Sequence, residues 1–425
     1  MGNRAQVAPL VLVVAYASFI VIGLPDGMLG VAWPTMRGDF GQALGALGIL
    51  VTGFTLGYLA TSFTIGVLVE RLGYAGVLVA SGVAMAVGAA GMAVSPLWAP
   101  VLLGAVVLGA GVGLLDAGLN AYGAHHFNSR QLNWLHAGFG IGATIGPMMM
   151  SGFLTTSLSW RGGYATAAAV ALVTAGAFAA TWRRWNDGSR DAAAQAESDA
   201  AAGTTVTDRG LPVTDGAAPG ESAAAPSSLP ASRRWLRDLQ DPVVIGSALL
   251  FILYAGVEVT AGQWAYSLFT IDRGVDAARA ARWVSLYWGA LTVGRIVFGV
   301  IADRIGPLRL LRMTMGSAAV GVALFWIGTP PILGAVGLLV LGFSLAPMFP
   351  LLIGETPARV GAHRASFVVG LQMGGSSIGV MLFAGGMGAL VEAVSLRVVV
   401  PGVMVVLILF VITHEAVLRA AKRST

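Results

Sequence analysis

Apolar positions along the chain gather into long runs separated by short polar breaks. The runs fall at roughly 8–32, 43–68, 75–95, 99–123, 131–156 and 161–182, and a second set falls at roughly 243–270, 280–302, 309–328, 331–354, 364–390 and 396–418. A helix needs about 20 apolar residues to cross a hydrocarbon core, so each run predicts one membrane-spanning α-helix. Between the two sets, residues 187–232 are rich in Ala, Ser, Thr, Gly, Pro and Asp and carry no apolar periodicity. Such a composition cannot bury a core and predicts disorder. The pattern therefore predicts an all-α membrane protein of twelve transmembrane helices in two six-helix bundles. Residues 1–186 form the first bundle, 187–240 a mostly disordered linker, and 241–425 the second bundle.

Composition supports this reading. Of 425 residues, 56% are hydrophobic and only 11% charged, against about 25% charged in soluble domains. The 59 glycines suit helices that must approach closely in lipid, where the hydrophobic effect does not drive association. There is no cysteine and there are only five histidines, with no H-E-x-x-H pair, P-loop or nucleophile elbow. An enzyme is therefore disfavoured, and no metal or cofactor is expected. The start of the chain, Met1-Gly2-Asn3-Arg4, leads into the first apolar run without a small-residue cleavage site, so that run is read as a retained helix.

Charge sets the sidedness. Of the 25 Lys and Arg, eighteen lie in the termini and in the loops after even-numbered spans, six lie in the opposite loops, and Arg295 lies inside a span. Basic residues collect on the cytoplasmic side. The expectation is a multi-pass protein of the plasma or inner membrane with both termini in the cytoplasm. The formal charge of +5 reads as this topogenic bias; no nucleic-acid partner is expected.

The halves repeat. Gly66-Val-Leu-Val-Glu70-Arg71-Leu-Gly73 recurs as Gly299-Val-Ile-Ala-Asp303-Arg304-Ile-Gly306, 233 positions later. The same shift maps Leu108-Gly109 onto Leu341-Gly342, and Gly142 and Gly146 onto Gly375 and Gly379. Parallel repeats of this kind place a binding site between the halves.

With its G-x-x-x-(D/E)-R-x-G signature in both halves, the chain resembles the major facilitator superfamily. The first copy lacks the usual trailing basic residues, since Tyr74 and Ala75 follow Gly73. Gly23-Leu-Pro25-Asp26-Gly27, Asp116-Ala-Gly-Leu-Asn120 and Tyr254-Ala-Gly256-Val-Glu258 narrow the resemblance to the fucose–galactose–glucose/proton symporter (fucose permease-like) branch. That likeness implies alternating access, a conformational latch at Gly66, Glu70, Arg71, Gly73, Gly299, Asp303, Arg304 and Gly306, and proton coupling through Asp26 and Asp116. The chain departs from the fucose pattern at Phe139, where an Asn is expected, and at Glu258, where a Gln is expected. The identity of the sugar therefore does not carry over.

The residues give their own reasons. A charged side chain at the centre of a span costs roughly 2.5–3.5 kcal/mol and persists where it faces water or a partner. Asp26 follows Pro25, which deprives the first span of a hydrogen-bond donor and predicts a locally opened backbone. Asp116 and Asn120 share one face of the fourth span, with Gly109 and Gly113 continuing that face and leaving space before the pair. Glu258 lies near the middle of the seventh span and Arg295 within the eighth. Asp26, Asp116 and Glu258 are the candidate proton carriers. Asn120, His136, Gln263, Trp264, Gln372 and Arg295 are the candidate substrate ligands. The expected partners are a small polar solute, protons and the bilayer, with the chain acting as a monomer. Two alternatives remain: a drug/proton antiporter, because Gly142-x-x-x-Gly146-Pro147 is half of an exporter signature, and a non-transporting sensor on the same fold.

Overall fold

The computed structural model describes residues 8–186 and 239–424. The expected linker falls almost wholly outside the described residues. Every regular element among the described residues is helical. The first half contains α1 (Pro9–Asp39), α2 (Leu47–Val94), α3 (Trp98–His126), α4 (Ser129–Leu154) and α5 (Ser159–Ala180). The second half begins with α6 (Pro242–Ser267), α7 (Ala277–Ile305), α8 (Pro307–Ile327), α9 (Pro331–Leu345) and α10 (Met348–Gly354). It ends with α11 (Thr356–Val360), α12 (Ala362–Gly379), α13 (Met387–Ala393) and α14 (Val399–Ser424).

Among the described residues, eleven helical stretches are long and apolar enough to cross a membrane. One of them, Leu44–Val94, has 51 residues and would reach about 77 Å if straight, more than twice the hydrocarbon thickness. It is broken at Gly73, where φ is 69° and ψ 168°. Residues on both sides of the break lie against the same stretch of α3: Gly57 against Val106 and Ala110, Gly88 against Gly104 and Leu108. The two arms of α2 therefore run side by side, and this element crosses twice. A loop was expected over residues 66–73. Instead the helix continues to Leu72 and a single residue makes the turn, which a glycine can do because positive φ carries little penalty without a Cβ.

The sequence repeat reappears as packing. Gly109 in α3 sits on the carbonyl of Phe54, and Gly342 in α9 sits on the carbonyl of Tyr287; both partners of each pair are shifted by 233 positions. Gly88 against Leu108 becomes Gly321 against Leu341 at the same shift. The turn glycines correspond too, since Gly306 has φ 87°. Gly142 and Gly146 of α4 pack on Ile20 and Leu24 of α1, while Gly375 and Gly379 of α12 pack on Ala248 and Ile252 of α6. Each half is thus built by the same helix approaches, and the two halves enclose a space between α1, the first arm of α2, α3 and α4 on one side and α6, α7, α10 and α12 on the other.

At the start of α6, Asp241 accepts a hydrogen bond from the Val243 amide at 2.8 Å and from Arg364 Nη1 of α12 at 2.7 Å. Partial burial raises its carboxyl affinity for a proton, but these donors prevail and hold its pKa below the usual carboxylate value. A depressed pKa contributes stability above the unfolded-state value that disappears as pH falls through the folded one. Asp241→Asn should therefore flatten the acid limb of the thermal-stability profile, with little change near neutrality beyond the lost ion pair.

The repeat makes its own prediction. A Cβ at position 109 or 342 would press on a backbone carbonyl, so Gly109→Ala and Gly342→Ala should each destabilise the bundle by about 1–3 kcal/mol. Thermal unfolding in detergent measures this, and wild-type melting in both variants would mean that the close approach is not a constraint.

Candidate functional site in the inter-bundle cavity

Between the halves lies a cavity of about 1670 Å³. Its wall reaches Ser62 and Phe63, one turn before the first latch motif, and Gly299 and Ala302 within the second. Arg130, beside the start of α4, stands in the same wall. The far end is sealed by contacts between halves. There Gly45 and Gly48 meet Gly388 and Gly385, and Gly30 of α1 meets the backbone of Gln263. Ser285 Oγ donates to the Thr144 carbonyl at 2.6 Å, and Gln263 Nε2 donates to the Asp26 carbonyl at 2.9 Å. The cavity is thus open toward the latch motifs and closed away from them.

The latch residues occupy helix ends. Gly66 through Leu72 and Gly299 through Ile305 are helical, with Gly73 and Gly306 as the terminating turns. Glu70, Arg71, Asp303 and Arg304 are exposed, and no ion pair among the described residues engages them.

The structure brings five of the ionisable or polar candidates to one cavity: Asp26, Asp116, Asn120, Glu258 and Gln263. His136 and Arg295 join them. Asp116 is the best satisfied. Tyr58 of α2 donates its hydroxyl to Oδ2, and Asn120 Nδ2 donates at 2.9 Å to both Oδ1 and the Asp116 carbonyl. Space was expected in front of this pair because Gly109 and Gly113 share its face. Those glycines instead draw α2 in, with Gly113 against the backbone of Tyr58, and the Tyr58 hydroxyl fills that space. Tyr58 escaped sequence reasoning because a tyrosine in an apolar run carries no mark of the helix it will face. Arg130 escaped because it reads as a topogenic charge.

Glu258 is only 8% exposed. Its Oε1 lies 3.8 Å from Arg295 Nη2, which is an ionic contact but too long for a hydrogen bond. Its Oε2 and the Tyr254 hydroxyl are buried without a partner among the described residues, while Tyr287 donates to the Glu258 carbonyl at 2.7 Å. Asp26 lines the same cavity. The expected opening of the backbone at Pro25 does not occur, because α1 runs unbroken through it. His136 opens onto the cavity with its ring edge-on to Phe19, 5.5 Å between centroids.

Two candidates fall outside this wall. Trp264 is fully buried and donates its indole N–H to the Ala384 carbonyl at 3.0 Å. That carbonyl belongs to the π-helical turn Val380–Gly385, a widened turn in which carbonyls are poorly served by their own helix. Gln372 is 1% exposed and exchanges hydrogen bonds with Thr356. Both side chains tie helices together behind the cavity.

Two pseudosymmetric helical bundles around a central cavity, largely apolar but carrying a few ionisable side chains and closed at one end, are the architecture of a membrane transporter. Residues 15–384 match the Major Facilitator Superfamily, and the chain belongs to that family. It is 22% identical over 380 residues to the sodium-dependent glucose transporter 1A of Mus musculus, covering 85% of this chain and 86% of the relative. A putative glucose/galactose transporter of Helicobacter pylori is 29% identical over 136 residues, and only 32% of its length is matched. Among solved structures, a D-xylose–proton symporter superposes with a TM-score of 0.71 at 14% identity, over 95% of this chain and 96% of the other. The Major Facilitator Superfamily transporter FucP, in the outward conformation, gives 0.58 at 16% identity, over 96% and 98%.

The placement of Trp264 is testable. Trp264→Phe keeps the ring but orphans the Ala384 carbonyl, which should lower stability by about 1–3 kcal/mol while leaving substrate affinity unchanged. A change in affinity at full stability would put Trp264 in the cavity wall after all.

Proposed function

We propose that the protein is a proton-coupled symporter of a sugar or a similarly small polar solute, working by alternating access as a monomer. The observation that carries this reading is the convergence of Asp26, Asp116 and Glu258, from three helices of both halves, on one cavity. A carrier driven by protons needs a carboxylate whose surroundings change between states, and burial or a neighbouring cation moves its proton affinity in opposite directions. Rocking of one half against the other would supply that change. The carboxamides of Asn120 and Gln263 and the His136 ring suit hydroxyl recognition. The relatives carrying glucose and galactose in their names, and the solved D-xylose–proton symporter, support the same class of solute. On the distribution of Arg and Lys, the latch motifs and both termini face the cytoplasm of a plasma or inner membrane, so the open mouth faces inward. The exposed latch residues then belong to a state in which the latch is released.

One observation favours a second reading. Much of the cavity wall is apolar, with Phe54, Phe63, Phe139, Phe298 and Phe349 among its side chains, as an exporter of amphiphilic drugs would require. Export would move protons against the solute rather than with it.

Proton flux in proteoliposomes separates the two and tests the carboxylates. Added sugar should draw protons inward with the solute, and an amphiphilic cation should not. Asp116→Asn and Asp26→Asn keep size and hydrogen bonding but cannot titrate. At least one should abolish uphill accumulation while solute exchange survives. If both variants and their combination still concentrate solute with unchanged pH dependence, proton coupling lies elsewhere and Glu258→Gln becomes the decisive variant.

A further inference from the structure

Arg295 is half-buried in the cavity wall, beside Glu258 and the Tyr254 hydroxyl. Its ionic neighbour, Glu258 Oε1, stands at 3.8 Å, beyond hydrogen-bonding reach. A guanidinium offers five donors in a planar fork matched to a carboxylate, and an arginine inside a membrane needs an anionic or polar partner. Glu258 is a poor one here: its other oxygen is buried with no well-formed hydrogen bond among the described residues. A buried ion pair repays its desolvation only when geometry is good and the remaining lone pairs are satisfied. The pair is arranged as two groups in mutual reach, neither committed to the other.

The other groups facing them are accounted for. Asp116 is occupied by Tyr58 and Asn120, and Asp26 and His136 line the same cavity without an ion pair to Arg295 among the described residues. Tyr287 is taken by the Glu258 carbonyl, while the Tyr254 hydroxyl stands beside both Glu258 and Arg295 without a well-formed hydrogen bond among the described residues. At the open mouth Arg130 adds a second cation to the wall, and cationic walls concentrate anions in a cleft.

We propose that the solute carried in this cavity is a hydroxylated carboxylate, such as a sugar acid, whose carboxylate is held by the Arg295 guanidinium in place of Glu258. This rests on the symporter reading above and sharpens its substrate class. It also gives Glu258 a share in the coupling, alongside the Asp26 or Asp116 carboxylate. Ionised Glu258 competes with the solute for Arg295. A proton from solution neutralises Glu258, Arg295 is released, and the solute carboxylate takes the fork. After the solute departs on the other side, Glu258 returns its proton to that solution and again pairs with Arg295. One proton and one anion travel together, so the solute charge is compensated.

The test uses the full-length protein in proteoliposomes and a panel of neutral aldoses with their uronic and aldonic acids, glucose with glucuronate and gluconate being one set. Binding is measured at about pH 6 and about pH 8, with uptake in parallel. The acid should bind at least about tenfold more tightly than its neutral parent, the scale of a charge-assisted bond, and its affinity should rise as pH falls. Glu258→Gln should make that affinity independent of pH. Arg295→Gln should collapse the acid-to-neutral preference by about tenfold. If that variant does not fold, Arg295→Lys, which keeps the charge without the fork, should still erode the preference. Preference for the neutral sugars in the wild type overturns this inference and leaves the sugar symporter standing. Binding of neither class overturns both. A preference for acids that survives Arg295→Gln, or a pH profile that survives Glu258→Gln, overturns the role given to this pair.

Discussion

In a bilayer, lipid is as apolar as any leucine, so helices gain little from hiding hydrophobic side chains against one another. What holds them is close van der Waals approach, and here that approach depends on glycines resting on neighbouring carbonyls. Gly109 on Phe54 and Gly342 on Tyr287 set the spacing within each half. Gly48 with Gly385 and Gly30 with Gln263 set it between halves. The first kind is repeated by pseudosymmetry and belongs to the rigid bundles. The second kind seals one end of the cavity.

The polar chemistry is arranged around the same approaches. Gly113 lets α2 come near enough for Tyr58 to reach Asp116, which turns an isolated carboxylate into a hydrogen-bonded cluster. The hydrogen bond from Gln263 to the Asp26 carbonyl crosses from one half to the other at the sealed end, so the neighbourhood of Asp26 is tied to the state of that seal. Glu258 and Arg295 sit on adjacent helices of the second half and face the cavity with their donors and acceptors largely unspent. Satisfied groups build the walls, and unsatisfied ones are where a solute or a proton has something to gain.

Much of this was legible in the chain. Apolar runs of membrane length, the scarcity of charge within them and the 233-residue repeat led to an all-α transporter fold in two equal halves. Intramembrane carboxylates are expensive, so Asp26, Asp116 and Glu258 announced themselves, and all three line the cavity. Other placements were not legible. Trp264 and Gln372 were candidate ligands, and the structure gives their polar atoms partners in the Ala384 carbonyl and Thr356. One-dimensional spacing places a side chain on a helix face without saying whether that face meets another helix or open space.

The sequence by itself therefore determined the number and character of the apolar segments, the internal repeat, and which side chains needed a reason to be where they are. Tertiary structure alone decided which needs are met by protein and which are left for a solute. That division depends on distances between helices far apart in the chain, such as Tyr58 to Asp116 or Arg295 to Glu258. Those distances are fixed by backbone packing at glycines, which no local preference of the residues themselves encodes.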